Sequence, residues 1–205
     1  MVISELIKQV MVSGIEMNIP SYFIKVDSMQ DDPEESVPFM CQTENSLCFA
    51  MLFPVDEAQS LPKEKSEFLD KVRKGLEANQ GIIQVEAEKK YAYSIVKTSR
   101  EAGGIVYSLN YQRYIKNKII NVQGMFEESG MMGYRDAVVY DRCVQEGIVG
   151  SENDRFKGWT KDPYDENYKQ GALMNLSEKE EYDEMFLKSP LSMCRELVRA
   201  LNCDI

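Results

Sequence analysis

Hydrophobic and polar residues alternate most regularly between Ile105 and Phe126. Ile105, Tyr107, Leu109 and Tyr111 alternate with Val106, Ser108, Asn110 and Gln112. A period of two marks a strand with one buried face. Ile120, Val122, Gly124 and Phe126 repeat the pattern against Asn121, Gln123 and Met125. The polar run Lys116-Asn117-Lys118 between them predicts a hairpin turn. Tyr91, Tyr93 and Ile95 form an alternating run upstream, and Glu101-Ala102-Gly103-Gly104 is a turn that pairs it with the strand from Ile105. The three runs predict an antiparallel meander. Fainter alternation at Tyr22, Ile24 and Val26, and at Leu47, Phe49, Met51 and Phe53, adds candidate strands, as does the apolar run Ile82 to Val85.

Elsewhere the period lengthens to that of a helix. Phe68, Leu69, Val72 and Leu76 form one apolar stripe, opened by Leu61-Pro62 and ended by Asn79 to Gly81. Tyr134, Ala137, Val138, Asp141 and Val144 predict a helix over 134–145, ended by Gly147. Residues 150–170 are polar and read as a long loop holding Trp159 and Pro163. Ser177 to Glu180 matches a capping box for a short helix through Phe186. Ser189-Pro190 supplies the N-cap and first turn of a last helix, with Leu191, Cys194, Leu197, Val198 and Leu201 as its buried stripe. The expected fold class is α+β: one domain over 1–205, a twisted antiparallel sheet covered by helices, with 150–205 as a loop plus helical extension.

Composition narrows the chemistry. The 205 residues contain no histidine, which removes Ser-His-Asp and Cys-His triads within this chain and the commonest imidazole ligand for zinc. There is no phosphate-cradling glycine loop and no C-x-x-C pair, so no metal and no cofactor are expected. A net charge of -10 sets the average field against a phosphate backbone, so no nucleic-acid partner is expected; surface acid of this kind more often keeps a protein soluble, with a basic protein partner as the other reading. The apolar fraction of 43% supports a packed core rather than disorder. No stretch reaches the roughly 20 apolar residues of a membrane span. Met1 to Ile15 lacks a basic start and is interrupted by Glu5, so a cytoplasmic location is expected. Cys41, Cys48, Cys143, Cys194 and Cys203 are odd in number and lie mostly among apolar residues, as reduced thiols do, with a Cys41–Cys48 bridge as the other reading.

The order of elements resembles the PsbP/DcrB-type fold over about residues 10–145. Gly14-Ile15-Glu16-Met17-Asn18-Ile19-Pro20-Ser21-Tyr22 looks like that family's opening strand and I-P-x-Y/W turn. Ile120 to Glu127, followed by Gly130 to Tyr140, looks like its closing strand, glycine turn and helix. The resemblance implies a sheet with a helix packed on one face. It also implies a non-catalytic binding or assembly role, since the family includes extrinsic photosystem subunits, a Ran-binding nuclear import factor and bacterial envelope proteins.

Several groups are open to two readings. Tyr107, Tyr111, Arg113 and Tyr114 on the meander are interface residues if they face solvent, because tyrosine and arginine anchor protein interfaces. They are core if the aromatic side faces the helices with the lysines outward. Alanine at Tyr111 and Arg113 separates the two: an interface loses its partner, whereas a core loses its thermal midpoint. Arg135 at a helix start could clamp an anionic ligand or form a structural ion pair. Glu127-Glu128 could supply a base, but neighbours in a strand point to opposite faces, so the pair reads as the turn that caps the following helix. Asp27 to Glu35 could hold calcium or be a solvated loop, and the calcium spacing is absent. Trp159 either pins its loop or is exposed as an anchor. The expectation is a non-enzymatic, cytosolic protein-binding or accessory factor, possibly of the immunity or assembly type. A small-molecule binder or hydrolase with a pocket between sheet and helices is the alternative, and a structural subunit of an oligomer is the third reading.

Overall fold

The alternating runs of the meander fold as predicted and then extend further, whereas the run from Tyr22 to Val26 keeps only a two-residue strand at Ile24–Lys25. A computed structural model describes residues 7–55, 61–150 and 156–203. Strands β1 (Ile7–Val12), β2 (Ile15–Pro20), β3 (Ile24–Lys25), β4 (Val37–Gln42) and β5 (Ser46–Val55) come first. Helix α1 (Lys65–Lys74) follows, then β6 (Gln80–Ala87), β7 (Tyr91–Ser99), β8 (Ile105–Ile115) and β9 (Lys118–Glu128). Helices α2 (Tyr134–Gln145) and α3 (Pro190–Asn202) close the described chain, with short 3-10 turns at Leu176–Glu178 and Glu180–Met185 between them. Among the described residues, seven strands form one antiparallel sheet in the order β3-β4-β5-β9-β8-β7-β6, and β1-β2 is a separate hairpin. The molecule is thus α+β, an antiparallel meander with helices packed on it. Glu5 and the other residues before Ile7 lie outside the described residues.

Local chemistry explains the turns. Lys116 and Asn117 both take left-handed backbone, φ 49° and 61°, as a two-residue hairpin between right-twisted strands requires. Gly171 lets the 160–174 segment approach the edge of the sheet. It has φ +85°, and a Cβ there would lie 2.5 Å from the Gln80 carbonyl oxygen. The Ala172 amide donates to that oxygen at 2.8 Å, and Tyr164 Oη hydrogen bonds both backbone groups of Val85. The free edge of β6 is therefore covered rather than left as a pairing template.

The two faces of the sheet are treated differently. The inner face carries Leu52, Ile95, Leu109, Tyr111, Val122 and Phe126, all buried beneath α3 and the β1-β2 hairpin. Leu191, Cys194, Leu197, Val198 and Leu201 of α3 enter this core as the stripe predicted, joined by Met193. The C-terminal segment is thus integral to the main core. On the outer face α1 covers only β6, through Leu69 against Ile82 and Val85. A third cluster joins Val139 and Cys143 of α2 to Leu176, Tyr182 and Phe186, with Trp159 packed against it. Trp159 therefore pins its loop.

Some boundaries differ from the sequence reading. Helix α1 starts at Lys65, after Pro62, and ends at Gly75, because Asn79 to Gly81 already turn into β6. The capping box is Asn175 with Glu178 rather than Ser177 with Glu180, since the Asn175 side chain accepts the Ser177 amide and Glu178 reaches back to the Asn175 amide. Strand β4 is an addition, as is the pairing of β1 with β2. Cys41 and Cys48 sit opposite each other across β4 and β5 as free thiols.

Candidate functional site

The meander's tyrosines and Arg113 were one candidate surface, and the alternation decides their direction. Tyr107, Tyr111 and Arg113 share the inner face with Leu109 and are 4%, 0% and 6% exposed. Only Tyr114, on the opposite face, reaches solvent, at 46%. The interface expectation is corrected for three of the four residues: Tyr111 and Arg113 fasten α3 to the sheet, and Tyr107 reaches Glu178 in the first 3-10 turn. Tyr111 Oη donates to Asn202 Oδ1 at 2.8 Å, and its ring stacks with those of Tyr91 and Tyr93 at 6.1 and 6.2 Å. Arg113 Nη1 donates to the Leu201 carbonyl at the end of α3, where a cation also meets the negative end of the helix dipole. Arg113→Met keeps the stem but removes the donor, and should lower stability by about 1–3 kcal/mol in thermal denaturation. An unchanged midpoint would return Arg113 to the surface role.

Arg135 is also buried, at 6% exposure, and its donors are filled from within. Its Nε donates to the Ser177 carbonyl at 2.6 Å and Nη1 to Ser192 Oγ at 2.8 Å. Nη2 donates to the Lys179 carbonyl at 3.1 Å and to Asp183 Oδ1 at 3.0 Å. The ligand-clamp expectation for Arg135 is therefore replaced by a structural one, because a saturated guanidinium has nothing left for an anion.

Arg135 belongs to a larger buried ionic network that no sequence motif announced. Arg195 Nη1 shares Asp183 Oδ1 at 3.0 Å, and its Nη2 donates to the Glu178 carbonyl at 2.8 Å. Lys97 points inward from β7, contrary to its expected place among solvent-facing lysines, and pairs with Glu178 Oε1 at 2.7 Å. Tyr107 Oη donates to the same carboxylate. Burial pushes the Glu178 carboxyl above the ordinary range, with Lys97 pulling the other way. Burial, then the nearby Glu178, pushes the Tyr107 phenol far upward. This network ties α2, the 3-10 turns and α3 to the sheet.

Next to it the surface changes character. A cleft of about 310 Å³ opens between the start of α2 and the 184–190 segment. Met131, Tyr134, Met185 and Leu187 line it and are all exposed, Met131 and Leu187 at 67% each. Met132 adds a further exposed thioether beside them. Phe186 forms the floor, edge-on to Tyr134 at 6.0 Å. Exposed apolar residues are ordinary singly and informative as a group. Methionine suits such a place because its unbranched, polarisable side chain adapts to different partners.

The acidic groups at the cleft are Glu128 and Glu184. Glu128 accepts the amides of Ile105 at 3.0 Å and Gly133 at 3.1 Å, so it closes the N-terminus of α2. Burial raises its pKa, against the lowering by those two amides. Glu127 points away and pairs with Arg100. The two carboxylates therefore do not converge on one site. The Asp27–Glu35 segment is an exposed turn in which Asp32 accepts the Met29 amide at 2.7 Å. Among the described residues, no group of three or more His, Cys, Asp or Glu side chains is placed to hold a metal ion. No helix among them is long and apolar enough to cross a membrane.

No family model matches the chain, and no curated protein matches it. Among solved structures, the chain is similar to the Ran-binding protein Mog1p of Saccharomyces cerevisiae. The TM-score is 0.38 at 10% identity, over 66% of this chain and 83% of that one.

Proposed function

We propose that the protein is a non-catalytic protein-binding factor that receives a basic, amphipathic segment of its partner in the methionine-rich cleft. The observation that carries this reading is the cluster of exposed Met131, Tyr134, Met185 and Leu187 around a formed cavity. Glu128 and Glu184 share its wall with Arg135 and Lys188, so the cleft itself is balanced, and it is the net charge of -10 on the chain that favours a cationic partner over an anionic one. Apolar anchors would supply affinity and the net negative charge of the chain would steer approach.

The non-catalytic half of the proposal rests on what the candidate groups do. Glu127 and Glu128 diverge, Arg135 is saturated, and burial holds the Cys48 and Cys194 thiols neutral, away from nucleophilic use. Free buried thiols suit a reducing, cytosolic setting. The same reading takes the architecture as a variant of the PsbP/DcrB type, on the succession from Ile15–Pro20 through the meander to α2.

The test is fluorescence anisotropy with a labelled leucine-lysine amphipathic peptide. Leu187→Asp and Met131→Asp should each weaken binding at least about tenfold with an unchanged thermal midpoint, and salt should weaken it further. A glutamate-for-lysine version of the peptide should not bind. Equal binding by wild type and both variants, or no binding of the basic peptide, would overturn the proposal.

A further inference from the structure

We infer that the open outer face of the sheet, beside α1, is a separate binding site for a neutral saccharide. A cavity of about 960 Å³ lies there. Its floor comes mainly from the interior strands β7, β8 and β9, and its wall is the apolar side of α1.

The floor has an unusual composition for a solvent-facing sheet. Ser94 of β7 sits directly opposite Asn110 of β8, and Gln112 of β8 directly opposite Asn121 of β9. Ser108 lies on the same face, two residues before Asn110. Solvent faces of sheets are usually rich in charge, yet Lys71 of α1 is the one charged residue lining the cavity. Among the described residues, the side chains of Ser94, Ser108, Asn110, Gln112 and Asn121 make no hydrogen bond to another protein group. Gln80, which also lines the cavity, is the committed amide, donating to Thr98 Oγ1 at 3.3 Å.

The chemistry of the floor restricts the occupant. Each carboxamide offers a donor and an acceptor side by side, and each serine hydroxyl offers both. Adjacent hydroxyls of a sugar ring ask for that pairing. An apolar ligand would strip water from five polar side chains and give no hydrogen bond back. An ionic ligand would find at most Lys71 as a counter-charge. Phe68, Val72 and Leu76 on the wall match the C–H face of a pyranose. Three strands span about 10 Å at ordinary strand spacing, the width of a di- or trisaccharide. The floor side chains stand on central strands of the sheet, so their geometry is set before binding.

The experiment is NMR titration of the ¹⁵N-labelled full chain with maltotriose, cellotriose and chitotriose, each to about 10 mM, the weak end of specific affinity. At least one sugar should shift the side-chain NH₂ signals of Asn110, Gln112 and Asn121 together. Asn110→Ala and Asn121→Ala should each weaken that binding about tenfold, the loss of one or two hydrogen bonds, with an unchanged fold. Leu187→Asp should leave it untouched, which separates this site from the docking cleft. The inference is overturned if none of the sugars moves these amides. It also fails if an uncharged tetrapeptide moves them more strongly, or if they shift with protein concentration alone as this face pairs with a second copy.

Discussion

Asp183→Ala should lower the thermal midpoint by roughly 10 °C, the equivalent of about 3–5 kcal/mol in a chain of this size. Asp183 is the one carboxylate that Arg135 and Arg195 share, each at 3.0 Å on Oδ1, and all three side chains are buried. Its removal leaves Arg135 in low dielectric without a counter-charge and Arg195 with only the exposed Glu180 at 3.7 Å, which costs far more than the ion pairs contribute when intact. Its other oxygen, Oδ2, makes no hydrogen bond, and Arg199 at 3.7 Å answers it by charge alone. Arg199 is more than half exposed, so Arg199→Ala should change stability by less than about 1 kcal/mol. Asp183→Asn keeps an acceptor and should fall between the two. Differential scanning calorimetry measures all three variants. A midpoint for Asp183→Ala within about 2 °C of wild type would mean that the network relaxes into water and does not hold the C-terminal segment down.

The second large effect is alkaline. Burial pushes the Cys48 thiol up to about 12 from an ordinary 9.0, with the neighbouring Cys41 adding to it. Cys194 is raised by burial as well, and so are the phenols of Tyr93, Tyr107 and Tyr111 above their ordinary 10.0. In the unfolded chain these groups release their protons near pH 9 and 10, while the folded state keeps them. Each group's contribution is complete below its unfolded pKa and is lost as pH rises toward its folded value. For Cys48 alone a shift of three units corresponds to about 4 kcal/mol by pH 12. The thermal midpoint should therefore decline steadily above pH 9, and tyrosinate absorbance of the buried rings should appear only with unfolding. Phenols that titrate while the chain stays folded would show that the inner face of the sheet is open to solvent.

How far the sequence carried the structure depends on the kind of signal. Period-two runs placed β7, β8 and β9, and the stripe from Leu191 to Leu201 placed α3, because one-sided burial writes itself into residue order. Alternation tells that two faces differ, but not which one a helix covers. Tyr111 and Arg113 were therefore open to both an interface and a core reading until α3 was seen above them. Strand β4 escaped because Pro38 sits inside it and its run is short. The network around Asp183 joins residues as far apart as Lys97 and Arg195, and long-range pairing of charges leaves no local pattern. The cleft was hidden for a related reason: Met131 and Leu187 are ordinary apolar residues until the fold leaves them uncovered together.

The place of α3 also bears on how a ribosome could deliver this protein. The helix packs against β2, β5, β8 and β9, and Asn18 Nδ2 donates to the Cys203 carbonyl across 185 positions of chain. During synthesis the meander is complete long before residues 190–202 leave the exit tunnel. Through that interval the inner face, with Phe126, Leu109 and Val122, has the β1-β2 hairpin but lacks α3, and partly uncovered strands of this kind are aggregation-prone. The core of the nascent chain is thus closed late in synthesis, and a stall shortly before residue 190 would yield an aggregation-prone fragment.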